Sequence, residues 1–485
     1  MILIVGIILI WLQIRSKWPG WVGFPFLMVT IRAVHETAIS PLLSQIWGQR
    51  FFQFIGEITQ DELPSAIVLI LLSYSSIAFG LFLVRAFSNQ DPTANKAIFK
   101  GKPAPKYATQ NAWISSFTLF LVGFVANVIV LGFLLQNSSL FLIARFRTPF
   151  TDEIVLTNRF YHYARLTSNL MPIGALGMFL FSKNVSVKRR SAWVAYVLYI
   201  MFETIWGGRG GVILGIIAFI IVYHYVVKRI NIKNIFIVGI LLFIALSYIL
   251  TYRFGTTSLK GGLLLTLRGF LISGNINDAA FALRNFPTVL PFLNGGSILA
   301  GLSHFIPELP MPGAVNIWLY IVNIYFGGIN PMLGIGGGNF ALGAEHYMNF
   351  GYIGVIGMGI LFGVIFGFIF ELQRRNYENP FLLLISAQAS VFFLSGIESR
   401  CAYILGGMIL STFVPIGILA AMSLPNRKLS KTLMLVIYLT FVAFIFYQSS
   451  DFLPYSYLFK YLIFLGVTMV YYLSFKRVFL IYTQK

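Results

Sequence analysis

The chain has 485 residues, of which 58% are hydrophobic and only 10% charged, whereas a soluble domain carries about 25% charged residues. No water-soluble core could hide that much apolar surface, so a soluble globular protein is excluded and lipid is the expected solvent. The formal net charge of +20 does not signal nucleic-acid binding, because the basic residues sit in short clusters between apolar runs, and the one cysteine, Cys401, excludes an internal disulfide framework and a cysteine metal cluster.

The apolar start, Met1 to Ile14, lacks a basic leader region and a small-residue cleavage site, and reads as a retained membrane segment. Residues 18–46 form a second apolar stretch, interrupted by Arg32, His35 and Glu36. Runs long enough to span follow near 65–84, 112–135, 166–182, 192–207, 210–227, 234–251, 350–370, 381–397, 402–422, 432–447 and 455–474. The predicted fold is an all-α, polytopic membrane bundle of about 12 or 13 transmembrane helices. It divides into N-terminal transmembrane helices (1–251) with an outer loop at 136–165, a large extracytoplasmic loop (252–349), and C-terminal transmembrane helices (350–485).

Orientation follows from the basic clusters. They fall at Arg85 to Lys106, Lys183 to Arg190, Lys228 to Lys233, Arg374 and Arg375, Arg427 to Lys431, and Lys476 to Lys485. Each lies two spans after the one before, so all face one side, which the positive-inside rule makes cytoplasmic. The stretch 252–349 then faces outward. It is rich in Gly, Pro and Asn, as in Asn294-Gly295-Gly296, Pro307 to Gly313 and Gly334 to Asn339. A loop this long is expected to be functional and to carry short amphipathic and re-entrant helices, with residues 314–327 dipping into the membrane.

Lysine and arginine are sorted differently along the chain. Most lysines lie in the cytoplasmic clusters, whereas the outer segments carry Arg50, Arg145, Arg147, Arg159, Arg165, Arg209, Arg253, Arg268, Arg284 and Arg400. Positive charge is disfavoured outside, so these arginines need another reason. A guanidinium fork binds phosphate or carboxylate in a bidentate way. Arg159, Arg165, Arg209, Arg253, Arg268 and Arg284 are therefore candidates for a diphosphate site, with lipid headgroups or Asp152, Glu153, Asp278 and Glu308 as competing partners. Arg209 stands in Trp206-Gly-Gly-Arg-Gly-Gly211 between two spans, where a charge is costly unless functional or paired; Glu203 is its nearest candidate partner.

A second cluster, Ala344-Glu-His-Tyr-Met-Asn-Phe-Gly351, places Glu345 and His346 at the mouth of the helix expected from about 350. Either is a candidate general base; a carboxylate favoured by the helix dipole is the structural alternative for Glu345. His304, Glu308 and His162 are weaker candidates, and Glu398 with Arg400 reads as a structural pair. Gly334-x-Gly336-Gly-Gly338 has no following lysine and no strand-to-helix context, so it is not a nucleotide loop. No residue spacing suggests a metal site.

This layout resembles the Wzy-type O-antigen and capsule oligosaccharide repeat unit polymerases. The resemblance is carried by Gly-Gly-Arg209-Gly-Gly between two mid-chain helices, by the arginine-bearing outer loop, and by Glu345-His346-Tyr-Met-Asn349-Phe-Gly351 before the next helix. Some members of that family have an arginine followed by a glycine eleven residues later, a spacing that Arg284 and Gly295 match. The resemblance implies a C-type glycosyltransferase fold shared with the O-antigen ligases. It also implies an undecaprenyl-diphosphate-linked oligosaccharide as substrate, no cofactor, a site facing the periplasmic or extracellular side of the bacterial plasma membrane, and a polysaccharide chain-length regulator as a possible partner. An O-antigen ligase shares this topology, and a lipid-linked oligosaccharide flippase is the rival from another class. A flippase is expected to show paired repeats and helices broken at matching positions, and no repeat is visible.

Overall fold

A computed structural model of the chain describes residues 25–42, 61–88, 110–137, 167–182, 185–205, 209–226, 275–303, 341–375, 379–396 and 408–423, with a few isolated positions between them. The described elements are α1 (Pro25–Val34, continued by a π-turn at His35–Ile39), α2 (Glu62–Phe87), α3 (Gln110–Asn137), α4 (Leu170–Leu180), α5 (Ser186–Ile205) and α6 (Arg209–Val226). They continue with α7 (Asn275–Asn285), α8 (Gly296–Ser303), α9 (Leu342–Arg375), α10 (Pro380–Gly396) and α11 (Val414–Met422). No strand occurs among the described residues.

Eight of the expected spans coincide with α2 to α6 and α9 to α11. The expected segments at 1–14, 432–447 and 455–474 lie outside the described residues, and 234–251 is described only at single positions. Among the described residues, three helices are long and apolar enough to cross a membrane: Glu62–Phe87, Asn111–Gly132 and Leu342–Arg374. Shorter apolar helices accompany them at Leu170–Leu180, Gly215–His224, Pro380–Phe393 and Ser411–Met422. The described part is thus an all-α assembly of membrane-protein character.

Local chemistry explains where α10 begins. Pro380 stands at the first helical position, where the missing N–H has no partner to lose. The side-chain oxygen of Asn379 caps α10 by accepting from the N–H groups of Phe381 (3.0 Å) and Leu382 (3.3 Å). Behind them, Phe179 of α4 gathers Trp193 and Tyr196 of α5 and Phe219 of α6 at ring-centroid distances of 5.2, 6.3 and 4.8 Å, contacts that orient aromatic rings edge to face.

The site is positioned by the pairing of α2 with α9. A Cβ at Gly80 would run into the carbonyl oxygen of Ile360, and one at Gly363 into that of Ile77, so the two backbones touch where no side chain intervenes. At one end of this seam Glu371 is shared by two arginines. Arg374 donates to it from Nε (2.8 Å) and Nη2 (2.5 Å), and Arg85 of α2 approaches at 3.5 Å. All three side chains are buried.

Helix α9 is not one rod. Phe350 (φ −141°, ψ 16°) and Gly351 (φ 63°, ψ −154°) break it into a first limb, 342–349, and a second limb running on to Arg375. The limbs fold against each other: a Cβ at Gly354 would lie 2.5 Å from the carbonyl oxygen of His346. Ser73, near the middle of α2, meets both Gly343 and Gly359, on opposite sides of the break. The first limb therefore reaches about halfway down α2 before the chain turns and descends again. The helix begins at Leu342, earlier than the start near 350 expected from sequence, because contacts from distant segments satisfy its two ends.

Candidate functional site

The first limb of α9 is held at both ends by residues from 252–349 and carries the predicted pair between them. At its start, Asp278 of α7 accepts a hydrogen bond from the Ala341 N–H at 2.9 Å, which satisfies a donor that the helix itself cannot. Asp278 is buried and faces Glu36 of the π-turn after α1. Burial pushes its carboxyl up from the ordinary 3.8 to about 7; the Ala341 N–H pulls the other way, and Glu36 adds a further rise. The described part of helix α7 has 11 residues.

At the other end, the break leaves the carbonyls of Met348 and Asn349 without their helical partners. Leu293 and Asn294 replace them, donating their backbone N–H groups at 2.9 and 3.1 Å. This close fit requires the turn at Asn294 (φ 47°) and Gly295 (φ 86°). A Cβ at Gly295 would press on the Phe350 ring and one at Gly351 on the Phe292 ring, each at 3.2 Å.

Between these ends Glu345 is 0% and His346 1% exposed. Successive residues on a helix diverge by about 100°, so the two side chains leave the limb in different directions. Tyr347 turns to α7, its hydroxyl donating to the Phe286 carbonyl at 3.3 Å. Asn349 lies one turn after Glu345 on the same face. Its amide nitrogen donates to Ser297 Oγ (2.7 Å) and to the Glu345 carbonyl (2.8 Å), which fixes the orientation of the amide. The Asn349 side-chain oxygen and His346 Nδ1 are both buried without a hydrogen-bond partner among the described residues.

Arg284 is the only predicted arginine whose side chain is described. It ends α7 and grips Glu62, the first residue of α2: Nε donates to Oε1 at 2.7 Å and Nη2 to Oε2 at 2.6 Å. The pair is partly open to solvent, at 37% and 26% exposure. Arg209 is the first residue of α6, and its side chain lies outside the described part. Arg159, Arg165, Arg253 and Arg268 also lie outside it, as do His162, His304, Glu308, Glu398 and Arg400. Glu345, His346 and Arg284 are thus carried by two elements, α9 and α7, that pack together and on α2.

Sequence reasoning did not find Glu36, Glu62 or Ser297, and it read Asp278 only as a salt-bridge partner. Asn349, four residues after Glu345, was the one contributor with a local signal. Among the described residues no three His, Cys, Asp or Glu side chains gather as metal ligands would. Comparison of the chain with protein-family models, with curated proteins and with solved structures returns no match.

Proposed function

We propose that this chain is a glycosyltransferase that polymerises undecaprenyl-diphosphate-linked oligosaccharide repeat units at the outer face of a bacterial plasma membrane. The supporting observation is the enclosure of Glu345 and His346 on a helical limb that doubles back into an apolar bundle, beside the helix bearing Arg284. Lipid-linked substrates need a polar centre reached from within lipid, and a half-length limb supplies one.

In this reading Glu345 or His346 takes the proton of an acceptor hydroxyl. The acceptor oxygen bonds to the anomeric carbon as the bond from that carbon to the diphosphate oxygen breaks, which inverts the centre. The departing diphosphate carries the negative charge, and guanidinium groups aimed at it stabilise the transition state. Arg284 is assigned to that role, with Arg209, Arg253, Arg268, Arg159 and Arg165 as its proposed companions. The Asn349 oxygen lies on the face of Glu345, where it can accept from a sugar hydroxyl. Transfer of finished glycan, as in an O-antigen ligase, would use the same groups.

A second reading, a transporter, is favoured by one observation: a broken helix beside a buried carboxyl pair is also how membrane carriers build substrate and ion sites. Glu345→Gln and His346→Ala, expressed in a strain deleted for the gene, separate the two. The polymerase reading expects loss of the glycan ladder with normal membrane abundance and normal arrival of lipid-linked single units at the outer face. A transporter reading expects those units to accumulate inside. Wild-type ladders from both variants would refute the assignment of Glu345 and His346.

A further inference from the structure

The grip of Glu62 on Arg284 has the geometry by which a guanidinium holds a phosphate: two parallel N–H···O bonds, at 2.7 and 2.6 Å, to one planar anion. The edge of Arg284 suited to a diphosphate is therefore already filled by a carboxylate of the same chain. Two features set this contact apart from a structural ion pair. First, Arg85 and Arg374 meet Glu371 in a site where all three side chains are buried. Displacing a carboxylate there would strand charge in a low dielectric. Arg284 and Glu62 are 37% and 26% exposed, so a released carboxylate is not sealed in a low-dielectric site. Second, an ion pair this open contributes little to stability, whereas a diphosphate brings more than one negative charge to the same fork.

We propose that Glu62 is an internal competitor that occupies Arg284 until a diphosphate displaces it. This rests on the reading of Arg284 as a diphosphate-binding residue and adds the ligand-free state of that residue. In that state Arg284 ties the end of α7 to the start of α2. The exchange removes that tie at the end of α7, while the packing of α7 on α2 and α9 and the Tyr347–Phe286 bond remain.

The test is binding of inorganic pyrophosphate to the purified full-length chain in detergent, at fixed ionic strength, for wild type, E62Q, D61N, R284Q and E62Q/R284Q. Asp61 is an exposed neighbour of Glu62 and reports the general effect of removing one negative charge. Expected are binding roughly fivefold tighter in E62Q, a change under about twofold in D61N, weaker binding in R284Q, and no gain from E62Q once Arg284 is gone. Equal tightening in E62Q and D61N overturns the competition and leaves Arg284 as a binding residue. Equal affinity of E62Q and wild type, with R284Q weakened, does the same. If R284Q binds like wild type, or no variant binds pyrophosphate, the diphosphate reading of Arg284 fails and the competition with it. An E62Q chain that no longer folds also overturns the proposal, because an exchangeable contact cannot be one that folding requires.

Discussion

Replacing Asp278 by Asn isolates the carboxyl that anchors α7 to α9. Burial and Glu36 raise this carboxyl from 3.8 to about 7 in the folded chain. Below about pH 4 it is protonated whether the chain is folded or not, and its favourable contribution is complete. As pH rises from there the unfolded chain ionises first, the folded chain resists, and stability falls until ionisation is complete in both states above about 7. At 1.36 kcal/mol per pH unit, that window corresponds to about 4 kcal/mol. Asparagine cannot ionise, yet its side-chain oxygen can still accept from the Ala341 N–H that Asp278 holds at 2.9 Å. Asp278→Asn should therefore stabilise the chain at pH 8 by up to about 4 kcal/mol, and by clearly less at pH 5. The assay is thermal denaturation of the full-length protein in detergent from pH 4.5 to 8.5, followed by intrinsic fluorescence. A gap between variant and parent that does not grow with pH, or a variant less stable at pH 8, would refute the reasoning.

Two further perturbations probe the frame. Gly351→Ala places a side chain at φ 63° and ψ −154°, a region nearly restricted to glycine, and against the Phe292 ring; a loss of about 1–3 kcal/mol is expected, read as a lowered melting temperature. Glu371→Gln removes the buried carboxylate that Arg85 and Arg374 share. It should destabilise by about 3–5 kcal/mol and reduce recovery from membranes; near-normal stability would show that the arginines are satisfied from elsewhere.

Continuous apolar stretches made most helices legible. The run at 65–84 extends to Glu62–Phe87, and the run at 112–135 extends to Gln110–Asn137, because flanking polar residues continue the helix beyond the apolar part. Helix within 252–349 is also expected, and α7 and α8 lie there. The first limb of α9 was not legible as helix. It carries Glu345, His346 and Asn349 within eight residues, and its ends are satisfied by Asp278, Leu293 and Asn294, more than fifty residues earlier. The grip of Arg284 on Glu62 spans 222 positions, so no local pattern announces it. Composition makes Arg284 a candidate anion binder but does not single out Glu62 as the carboxylate it meets.

The break in α9 also constrains how the polar centre can be uncovered. Below Gly359 the two long helices touch backbone to backbone and are pinned by Glu371, so they form a fixed shaft. The limb above is tied to the preceding turn, because the carbonyls of Met348 and Asn349 accept from the backbone N–H groups of Leu293 and Asn294. Shifting the limb means surrendering both bonds at once, at a cost of about 1–3 kcal/mol. It should behave as a bolt with two settings, shot or drawn, and not as a pliable flap.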